Sequence, residues 1–430
     1  MSSATLTASA PTTPAPPSPA VPWARARQLA HAAARPVAAR TVPLGAAAGL
    51  TLAEDLRALH PLPSFDTAAM DGYAVAAGPG PWRIRGAVRA GAAWDGVLGA
   101  GECVEISTGA PVPAGAWAVL PLETVERAEP APRTGSHRSA GAGAGGFGSG
   151  SAGGGLVSGP VLPPGRHVRR AGEDAPAGSR LAPAGTRTGP ALLGLAASCG
   201  HDTLPVRPRP RIGVLVTGDE LDHAGLPGPG RVRDALGPLL PPLAAALGGE
   251  CGPLRHVADR PAGRLAGAVH ALREAEVVVV TGSTSVGVTD QLRRLLHDAG
   301  ARMAVDTVAC RPGHPMLLAE LPSGRWVVGL PGNPYAALVA AHTLLGPLIA
   351  GLSGRPLDPL PQVPVRGRVR AAAGRTRLVP VVWEGAGARA VEGHGAAFLQ
   401  GAAVGDAFAA LPPGWTDGDP APLVLLPGRP

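Results

Sequence analysis

The sequence predicts a multidomain protein in which an α/β domain with a mostly parallel sheet lies between β-rich regions. From residue 209 to about 354, short β-branched segments alternate with Ala- and Leu-rich stretches of helical length, which is typical of such a domain. Before and after this region, short strand-like runs are separated by Gly and Pro. A chain of 430 residues has room for about three domains of roughly 150 residues each.

The composition divides the chain into six segments. The uncharged residues 1–21 are rich in Pro, Ala, Ser and Thr and are expected to form a disordered tail, because they have too little apolar surface to bury. Residues 131–159 are dominated by Gly, Ala and Ser and are expected to be a flexible insertion. The remaining predicted units are a discontinuous helical and linker domain (22–53 and 160–208), a β-rich domain (54–130), the α/β domain (209–354) and a small C-terminal β-barrel domain (355–430).

Hydrophobic patterning places the individual elements. Short β-branched runs predict buried strands at 211–216, 277–280 and 326–329. Longer Ala- and Leu-rich runs predict helices at 233–247, 263–274, 289–299 and 334–350, with further helices at 23–39 and within 43–56.

The charge composition excludes several functions. The chain has no lysine, so all 38 of its basic residues are arginine, which rules out Schiff-base catalysis by lysine and a P-loop lysine. With 31 acidic residues the net charge is +7, which suits anionic ligands. The arginines are scattered and not interleaved with aromatic residues, so nucleic acid is not an expected partner.

The cysteines and the apolar runs indicate a cytoplasmic protein. The four cysteines form no CxxC pair, which fits a reducing compartment. No uninterrupted apolar run of about 18 residues is present, and the N-terminus does not follow the signal-peptide pattern, so no membrane span is expected. The 12 histidines show neither HExxH nor paired-ligand spacing, and a zinc site is therefore not expected.

Three loops of small residues follow predicted strands: TGDEL (217–221), TGSTSVG (281–287) and LPGNP (330–334). Glycine lets a ligand approach the backbone, hydroxyls donate to oxyanions, and a helix that begins after each loop presents free amides. The loops therefore predict a phosphate or oxyanion site. Acidic residues on the same rim would repel an anion, so they predict a divalent metal or hydrogen bonds to a polar heterocycle.

Each of these residues also has a purely structural interpretation. Asp219 and Glu220 could cap the following segment, and Ser283 could be an ordinary helix cap. Asp71 and Asn333 could be turn residues. Several loops of the same character at strand ends within one chain favour a functional interpretation.

Seven segments, in this order, resemble the molybdopterin molybdenumtransferase family, whose members are similar to the carboxy-terminal domain of gephyrin. The resemblance runs from about Trp23 to Gly354 and more weakly beyond. The matching segments are PSFDTAAMDGYAV, ISTGAPVPAGAWAVLPLE, RRAGEDAPAGSRLAPAGT, RPRIGVLVTGDEL, TGSTSVGVTD, RPGHPMLLAEL and GLPGNPYAALVA.

The resemblance implies a function and an assembly. It implies insertion of molybdate into adenylylated molybdopterin, with release of AMP and the molybdenum cofactor and with Mg2+ assisting. It also implies an elongated homodimer of four-domain subunits, in which the α/β unit is the molybdopterin-binding domain. The protein partners that it suggests are the pterin adenylyltransferase and molybdoenzyme apoproteins.

The resemblance also implies site residues. Glu220 and Asp290 are the expected magnesium ligands, and Asp71 and Asp174 are expected to come from the partner subunit. The expected catalytic positions are Asp71, Thr108, Asp174, Glu220, Asp259 and Asp290. The expected phosphate- and molybdate-binding positions are Thr217, Gly218, Gly282, Ser283, Ser285, Gly287, Arg311, Pro312, Pro331 and Asn333.

Several positions depart from the family pattern. Thr307 and His314 stand where the family has basic residues, and Ser283 stands where it has a glycine. Ala235 and Ala396 replace an asparagine and a serine. These departures keep open an alternative, a non-catalytic relative that binds pterin or molybdate or acts as an assembly partner. A third hypothesis, that the protein is the pterin adenylyltransferase, is disfavoured by the MDGYA and GED segments.

Overall fold

The computed structural model describes residues 19–128, 154–261, 263–282, 284, 291–370, 372–392 and 395–427. It confirms the predicted fold class. A six-stranded, mostly parallel sheet forms the centre of an α/β unit, β-rich sheets precede it, and a small barrel follows it.

The N-terminal part of the chain is built mainly from short strands. The elements are β1 (Val21–Pro22), α1 (Trp23–Ala33), β2 (Arg40–Pro43), β3 (Thr51–Leu52), β4 (Leu56–Arg57), β5 (Thr67–Ala68), β6 (Gly72–Ala76), β7 (Trp82–Val88), β8 (Glu102–Ile106), β9 (Ala116–Pro121), β10 (Glu126–Ala128), β11 (Leu156–Ser158), β12 (Val168–Arg169), β13 (Arg180–Ala182), α2 (Pro190–Ser198) and β14 (Thr203–Arg207). Six of these strands form one sheet in the order β10-β11-β7-β8-β6-β9.

Ordered strands begin before the predicted ends of two low-complexity segments. Val21, at the end of the predicted disordered tail, starts β1, and its amide donates to the carbonyl oxygen of Thr307 at 2.9 Å. Leu156–Ser158, inside the predicted flexible insertion, forms a strand between β10 and β7 because Val157 is fully buried there. Both predictions are wrong for these residues, and the rest of both segments, apart from residues 19–20, 154–155 and 159, lies outside the described part of the chain.

The segments around α1 and α2 are not one compact unit. Strand β14 pairs with β2 and β3, so residues 40–52 do associate with residues 203–207. Helix α1 instead packs against the α/β unit, where Trp23 is buried and its indole Nε1 donates to Oγ1 of Thr343 at 3.0 Å. The helix predicted within 43–56 is wrong, because strand pairing extends this part of the chain and leaves only a 3-10 turn at Leu44–Ala46.

The α/β unit follows the predicted alternation. Its elements are β15 (Arg211–Thr217), β16 (Leu221–Asp222), β17 (Val232–Arg233), α3 (Leu236–Ala246), β18 (Glu250–Val257), α4 (Arg264–Ala271), β19 (Val277–Thr281), α5 (Gln291–Asp298), β20 (Arg302–Val305), β21 (Val308–Arg311), β22 (Leu317–Glu320), β23 (Trp326–Leu330), α6 (Pro334–Ala340), a π-helical turn (Ala341–Leu345) and α7 (Gly346–Leu352). The sheet order is β18-β15-β19-β23-β22-β20, and the first four strands are parallel.

Alternate strand residues face two helical layers. Val277 and Val279 belong to the core shared with α1, α3 and the α6–α7 helix, whereas Val278 and Val280 belong to the core shared with α4 and α5. A strand with both faces buried is expected to be a continuous apolar run, and the run of four valines in β19 has this character.

The C-terminal part closes into a barrel. Its elements are β24 (Gln362–Arg366), β25 (Thr376–Glu384), β26 (Gly387–Ala390), α8 (Gln400–Val404), β27 (Ala407–Leu411) and β28 (Pro420–Leu425). The pairing runs β25-β26-β24-β28-β27 and returns from β27 to β25, so these five strands form a ring. Strand β21 pairs with β25 in parallel and joins the barrel to the α/β unit.

In the part of the chain that the structure describes, one helix is long and apolar enough to cross a membrane, although no span was expected from the sequence. It covers Pro334–Leu352, and 89% of its most apolar 18-residue window is buried inside the fold. Its residues contribute to the core beneath the parallel sheet, so it serves as the central helix of the α/β unit.

Two helical glycines make a matched pair for testing the packing of α1. A Cβ atom on Gly351 of α7 would lie 2.5 Å from the carbonyl oxygen of His31, whereas a Cβ on Gly267 of α4 would meet nothing within 4 Å. We expect Gly351→Ala to destabilise the protein by about 1–3 kcal/mol through overpacking. Gly267→Ala should stabilise it by up to about 1 kcal/mol through helix propensity. Calorimetric Tm values that move in the same direction for both variants would contradict this packing.

Candidate active site

The three small-residue loops lie side by side at one edge of the parallel sheet. Oγ1 of Thr217 donates to the carbonyl oxygen of Thr281 at 2.7 Å. The amide of Gly282 donates to the carbonyl oxygen of Leu330 at 3.1 Å, and a Cβ on Gly332 would lie 3.8 Å from the Cα of Gly282. The loops predicted to share a rim are therefore in mutual contact.

Two glycines are required by these contacts. Gly282 has a φ of +73°, and a Cβ there would lie 2.7 Å from Oγ1 of Thr217. Gly218 has a φ of +144°, and a Cβ there would lie 2.8 Å from a carboxylate oxygen of Glu220. Any side chain at either position would be strained and would push the neighbouring polar group away.

Carboxylates are crowded beside the first loop. The amide of Asp259 donates to Oδ1 of Asp219 at 3.0 Å, and the amide of Asp219 donates back to Oδ2 of Asp259 at 3.4 Å. Partial burial raises the pKa of Asp259, and the negative charges of Asp219 and Glu220 raise it further. An all-oxygen donor set with this mutual repulsion fits a hard divalent cation such as Mg2+.

Arg231, which the sequence analysis did not single out, holds the acidic loop in place. Its Nη1 donates to the carbonyl oxygen of Asp219 and its Nη2 to that of Leu221, both at 2.7 Å. Its Nε donates to Oδ1 of Asp222 at 2.8 Å. A guanidinium with three such bonds is a rigid support for the loop that carries Glu220.

Two arginines meet near the third loop. Strand pairing places Arg311, which is exposed, opposite Arg377 of β25. The Nε of Arg377 is buried and has no hydrogen-bond partner among the described residues. Burial lowers the pKa of Arg377, and the charge of Arg311 lowers it further. Paired guanidinium groups with free donors are suited to binding a tetrahedral oxyanion.

The residues around this arginine pair come from several parts of the chain. Asn333 is exposed just before α6, whereas Pro331 is buried. Pro312 follows Arg311, and its carbonyl oxygen accepts a weak hydrogen bond from Sγ of Cys310. The carbonyl oxygen of Ala396, in the C-terminal part, accepts from the amide of Ala336 at 3.1 Å. Ala396, which stands where the family has a serine, therefore lies at the start of α6, beside the third loop.

Two further departures, His314 and Thr307, make contacts that support the fold. Nδ1 of His314 donates to the carbonyl oxygen of Val308 at 2.7 Å and closes the turn that carries Arg311. Thr307 accepts the amide of Val21 through its carbonyl oxygen. Arg377 could not be found from the sequence, because this arginine lies 66 positions from Arg311 and only the β21–β25 pairing reveals its proximity.

A second group of predicted residues lies in the N-terminal β-rich part. Oδ1 of Asp71 accepts from the amide of Thr108 at 2.7 Å and from its hydroxyl at 3.2 Å, and both residues are exposed. The exposed Asp174 donates its amide to the carbonyl oxygen of Leu62 at 3.0 Å. Asp66 joins the two motifs by pairing with Arg170.

No direct link between these two groups is seen in the described part of the chain. No hydrogen bond or ion pair between described residues links Asp71, Thr108 or Asp174 to the loops at the sheet edge. Four predicted site residues, Ser283, Ser285, Gly287 and Asp290, lie outside the described residues.

Comparison with known proteins places this architecture. The profile of the MoeA N-terminal region (domain I and II) matches residues 21–200, and that of a probable molybdopterin binding domain matches residues 213–351. The structure of the molybdopterin biosynthesis moea protein from Pyrococcus horikosii covers 96% of this chain and all of that chain, with a TM-score of 0.74 and 26% identity. The fold and the site therefore define a protein of the MoeA class.

Relatives identify the family within this class. The chain is 33% identical over 371 residues to the molybdopterin molybdenumtransferase of Synechococcus elongatus. The aligned region covers 82% of this chain and 86% of that protein. It is 32% identical over 350 residues to molybdopterin molybdenumtransferase 2 of Mycobacterium tuberculosis, covering 76% and 77%. The chain belongs to the molybdopterin molybdenumtransferase family.

Repulsion among Asp219, Glu220 and Asp259 predicts that the protein becomes more stable when the charge of Asp259 is removed. At pH 7 we expect Asp259→Asn to raise the Tm, by about 2–4 °C for each kcal/mol of repulsion relieved. Because the folded state raises the pKa of Asp259 above the ordinary 3.8, the gain should shrink as the pH falls toward that value. The exposed Asp298 provides the control, since Asp298→Asn should leave the Tm unchanged. A loss of stability in Asp259→Asn at pH 7 would show that the carboxylates do not repel one another.

Proposed function

We propose that the protein inserts molybdate into adenylylated molybdopterin and releases AMP and the molybdenum cofactor. The observation that carries this proposal is the contact among three glycine-containing loops at one sheet edge, with a carboxylate group at one end and an arginine pair near the other. A ligand with both phosphate groups and a tetrahedral oxyanion matches this division of charge. The family membership supports the same reaction.

The acidic end fits Mg2+. Glu220 and Asp290 are the proposed ligands, with Asp219 and Asp259 beside Glu220. When bound, the cation would neutralise phosphate charge and polarise the phosphoanhydride bond. Independently of the cation, the amide bonds between Asp219 and Asp259 fix the spacing of these carboxylates, and Arg231 holds the loop that presents Glu220.

The phosphate and oxyanion contacts are assigned to the loops. Thr217, Gly218, Gly282 and the residues after it would bind the phosphate through backbone amides and hydroxyls. Arg311 and Arg377 would bind molybdate, with Asn333 nearby before α6. Arg377 comes from the barrel. Its guanidinium would supply positive charge at a site where Thr307 and His314 replace the family's basic residues.

The N-terminal group of residues points to a dimeric site. Asp71 and Thr108 are exposed and hydrogen-bonded to each other, and no hydrogen bond or ion pair between described residues links them to the sheet-edge loops. We propose that they and Asp174 complete the site of a second copy in a homodimer. The pterin adenylyltransferase and molybdoenzyme apoproteins are the proposed partners for substrate supply and product delivery, in the cytoplasm.

The role of Glu220 is tested by a charge-neutral variant. Glu220→Gln keeps the shape of the side chain, and we expect AMP release from adenylylated molybdopterin, molybdate and Mg2+ to fall by about 10²–10³-fold. Glu250 lies at the amino end of β18, whereas the loops follow the carboxyl ends of the parallel strands. Glu250→Gln should therefore retain full activity. If the wild-type protein retains molybdate but releases no AMP, the non-catalytic alternative is correct.

A mixing experiment tests whether the two groups act across subunits. Asp71→Ala and Glu220→Ala homodimers should each be inactive, but subunit exchange between them would create heterodimers with one intact site. Random mixing of equal amounts should then restore about a quarter of wild-type AMP release, because half of the dimers are mixed and each has one site. No recovery, despite subunit exchange verified by mass spectrometry, would place Asp71 and Glu220 in the same chain's site or remove Asp71 from the site.

A further inference from the structure

A cluster of side chains outside the proposed catalytic group consists of His223, Asp234 and His256. Nε2 of His256 is 2.9 Å from Oδ2 of Asp234, and Nδ1 of His223 is 3.8 Å from the same oxygen. The three donor atoms all lie within 4.8 Å of one another. His223 lies in the loop after β16, Asp234 lies just before the first turn of α3, and His256 belongs to β18. Because the three residues come from separate elements, their spacing in the sequence does not predict the cluster.

The carboxylate is buried and held in a fixed orientation. Oδ1 of Asp234 accepts from the amides of Leu236 and Gly237, both at 2.9 Å, and the side chain is only 5% exposed. Burial alone would raise the pKa of Asp234, but these amides and the imidazole of His256 outweigh it, and the pKa is lowered. The group is therefore a carboxylate whose Oδ2 faces the two histidines. Gly237 leaves room for that oxygen, because a Cβ there would collide with it.

The two imidazoles are placed as ligands and are open to solvent. Their ring centroids are 3.5 Å apart with planes tilted by 38°. The side chains of His223 and His256 are 49% and 34% exposed, so an ion can reach them. His223 makes no hydrogen bond to any described residue, and it lies beside the carboxylates of Asp234 and Asp222.

The donor set selects a class of metal. Two imidazole nitrogens and one carboxylate oxygen suit zinc, cobalt, nickel or iron, whereas Mg2+ takes oxygen donors. A carboxylate that is oriented by backbone amides is the kind of outer-shell support that metal ligands require. The surroundings favour a cation, because Asp219, Glu220 and Asp222 lie within four residues of His223 along the chain, and only Asp222 of these three pairs with an arginine among the described residues.

We propose that His223, Asp234 and His256 bind a divalent transition-metal ion, with three protein ligands and an open coordination position. The ion would draw Nδ1 of His223 toward the Asp234–His256 pair. It would thereby tie the loop that follows Glu220 to the edge strand β18 and to the start of α3. This site is separate from the proposed Mg2+ site and goes beyond the molybdate reaction.

The test uses metal binding by the full-length protein without turnover. After treatment with EDTA, Co2+ is titrated while visible d–d absorption is recorded, and Zn2+ and Mg2+ are then added as competitors. We expect one Co2+ per chain, displacement by Zn2+ and no displacement by an excess of Mg2+. His223→Ala and His256→Ala should each weaken binding at least as much as loss of an outer-shell partner does, about 10–100-fold.

Matched variants separate this site from adventitious binding and from misfolding. His297 is 90% exposed beside Asp298 and belongs to no cluster of three possible metal ligands among the described residues, so His297→Ala should bind Co2+ like the wild type. Asp234→Asn keeps an oxygen for the amides of α3 and should fold with a similar Tm, yet lose the ion. Substoichiometric Co2+ in the wild type, or equal affinity in His223→Ala, His256→Ala and His297→Ala, overturns the proposal. AMP release is measured in a separate assay. A negative result for the transition-metal site therefore does not affect the test of molybdate insertion, and the reverse also holds.

Discussion

The site depends on the parallel pairing of β15, β19 and β23. Val216 is opposite Thr281, and Thr281 is opposite Leu330, so the three strands end at the same level and their loops leave the sheet together. Because both faces of these strands are buried, a slip of one residue would exchange the two cores. The apolar layers of α1, α3 and the α6–α7 helix on one face and of α4 and α5 on the other therefore fix the geometry of the loops.

The free protein holds like charges together at two places. Asp219, Glu220 and Asp259 crowd at one loop, and Arg311 and Arg377 meet near another, without an ion pair to any carboxylate of the described residues. Each arrangement is unfavourable by itself, and a ligand of opposite charge would relieve the repulsion in each. Local conflicts of this kind are expected where function competes with stability. The barrel contributes directly to the second place, since the pairing of β21 with β25 brings Arg377 to the α/β unit.

The polar residues beside the edge strand show how one carboxylate can serve two purposes. Asp234 uses Oδ1 to satisfy the amides at the start of α3 and presents Oδ2 to His223 and His256. The helix cap thus orients the proposed metal ligand, and the loop from 217 to 234 lies between the two proposed metal sites. The Arg231 guanidinium, which bonds to three positions of this loop, keeps the two regions in a fixed relation.

Local patterns and the order of motifs were enough to predict the fold class, the three loops and the family. The valine run of β19 and the alternation with helices are local patterns, and the glycines at 218 and 282 mark backbone that only glycine adopts easily. The predicted helix at 23–39 was also found, although it ends at Ala33. The order of the motifs along the chain carried the family resemblance.

Contacts between residues that are distant in the chain follow from the packing of separate elements. The pairing of Arg311 with Arg377, the contact of Ala396 with the start of α6, and the cluster of His223, Asp234 and His256 all join residues from separate elements. The same holds for Val21 and Val157, which the composition assigned to unstructured segments but which gain strand partners and burial. Such contacts depend on strand order and packing between units, and no periodicity within a short stretch of sequence records them.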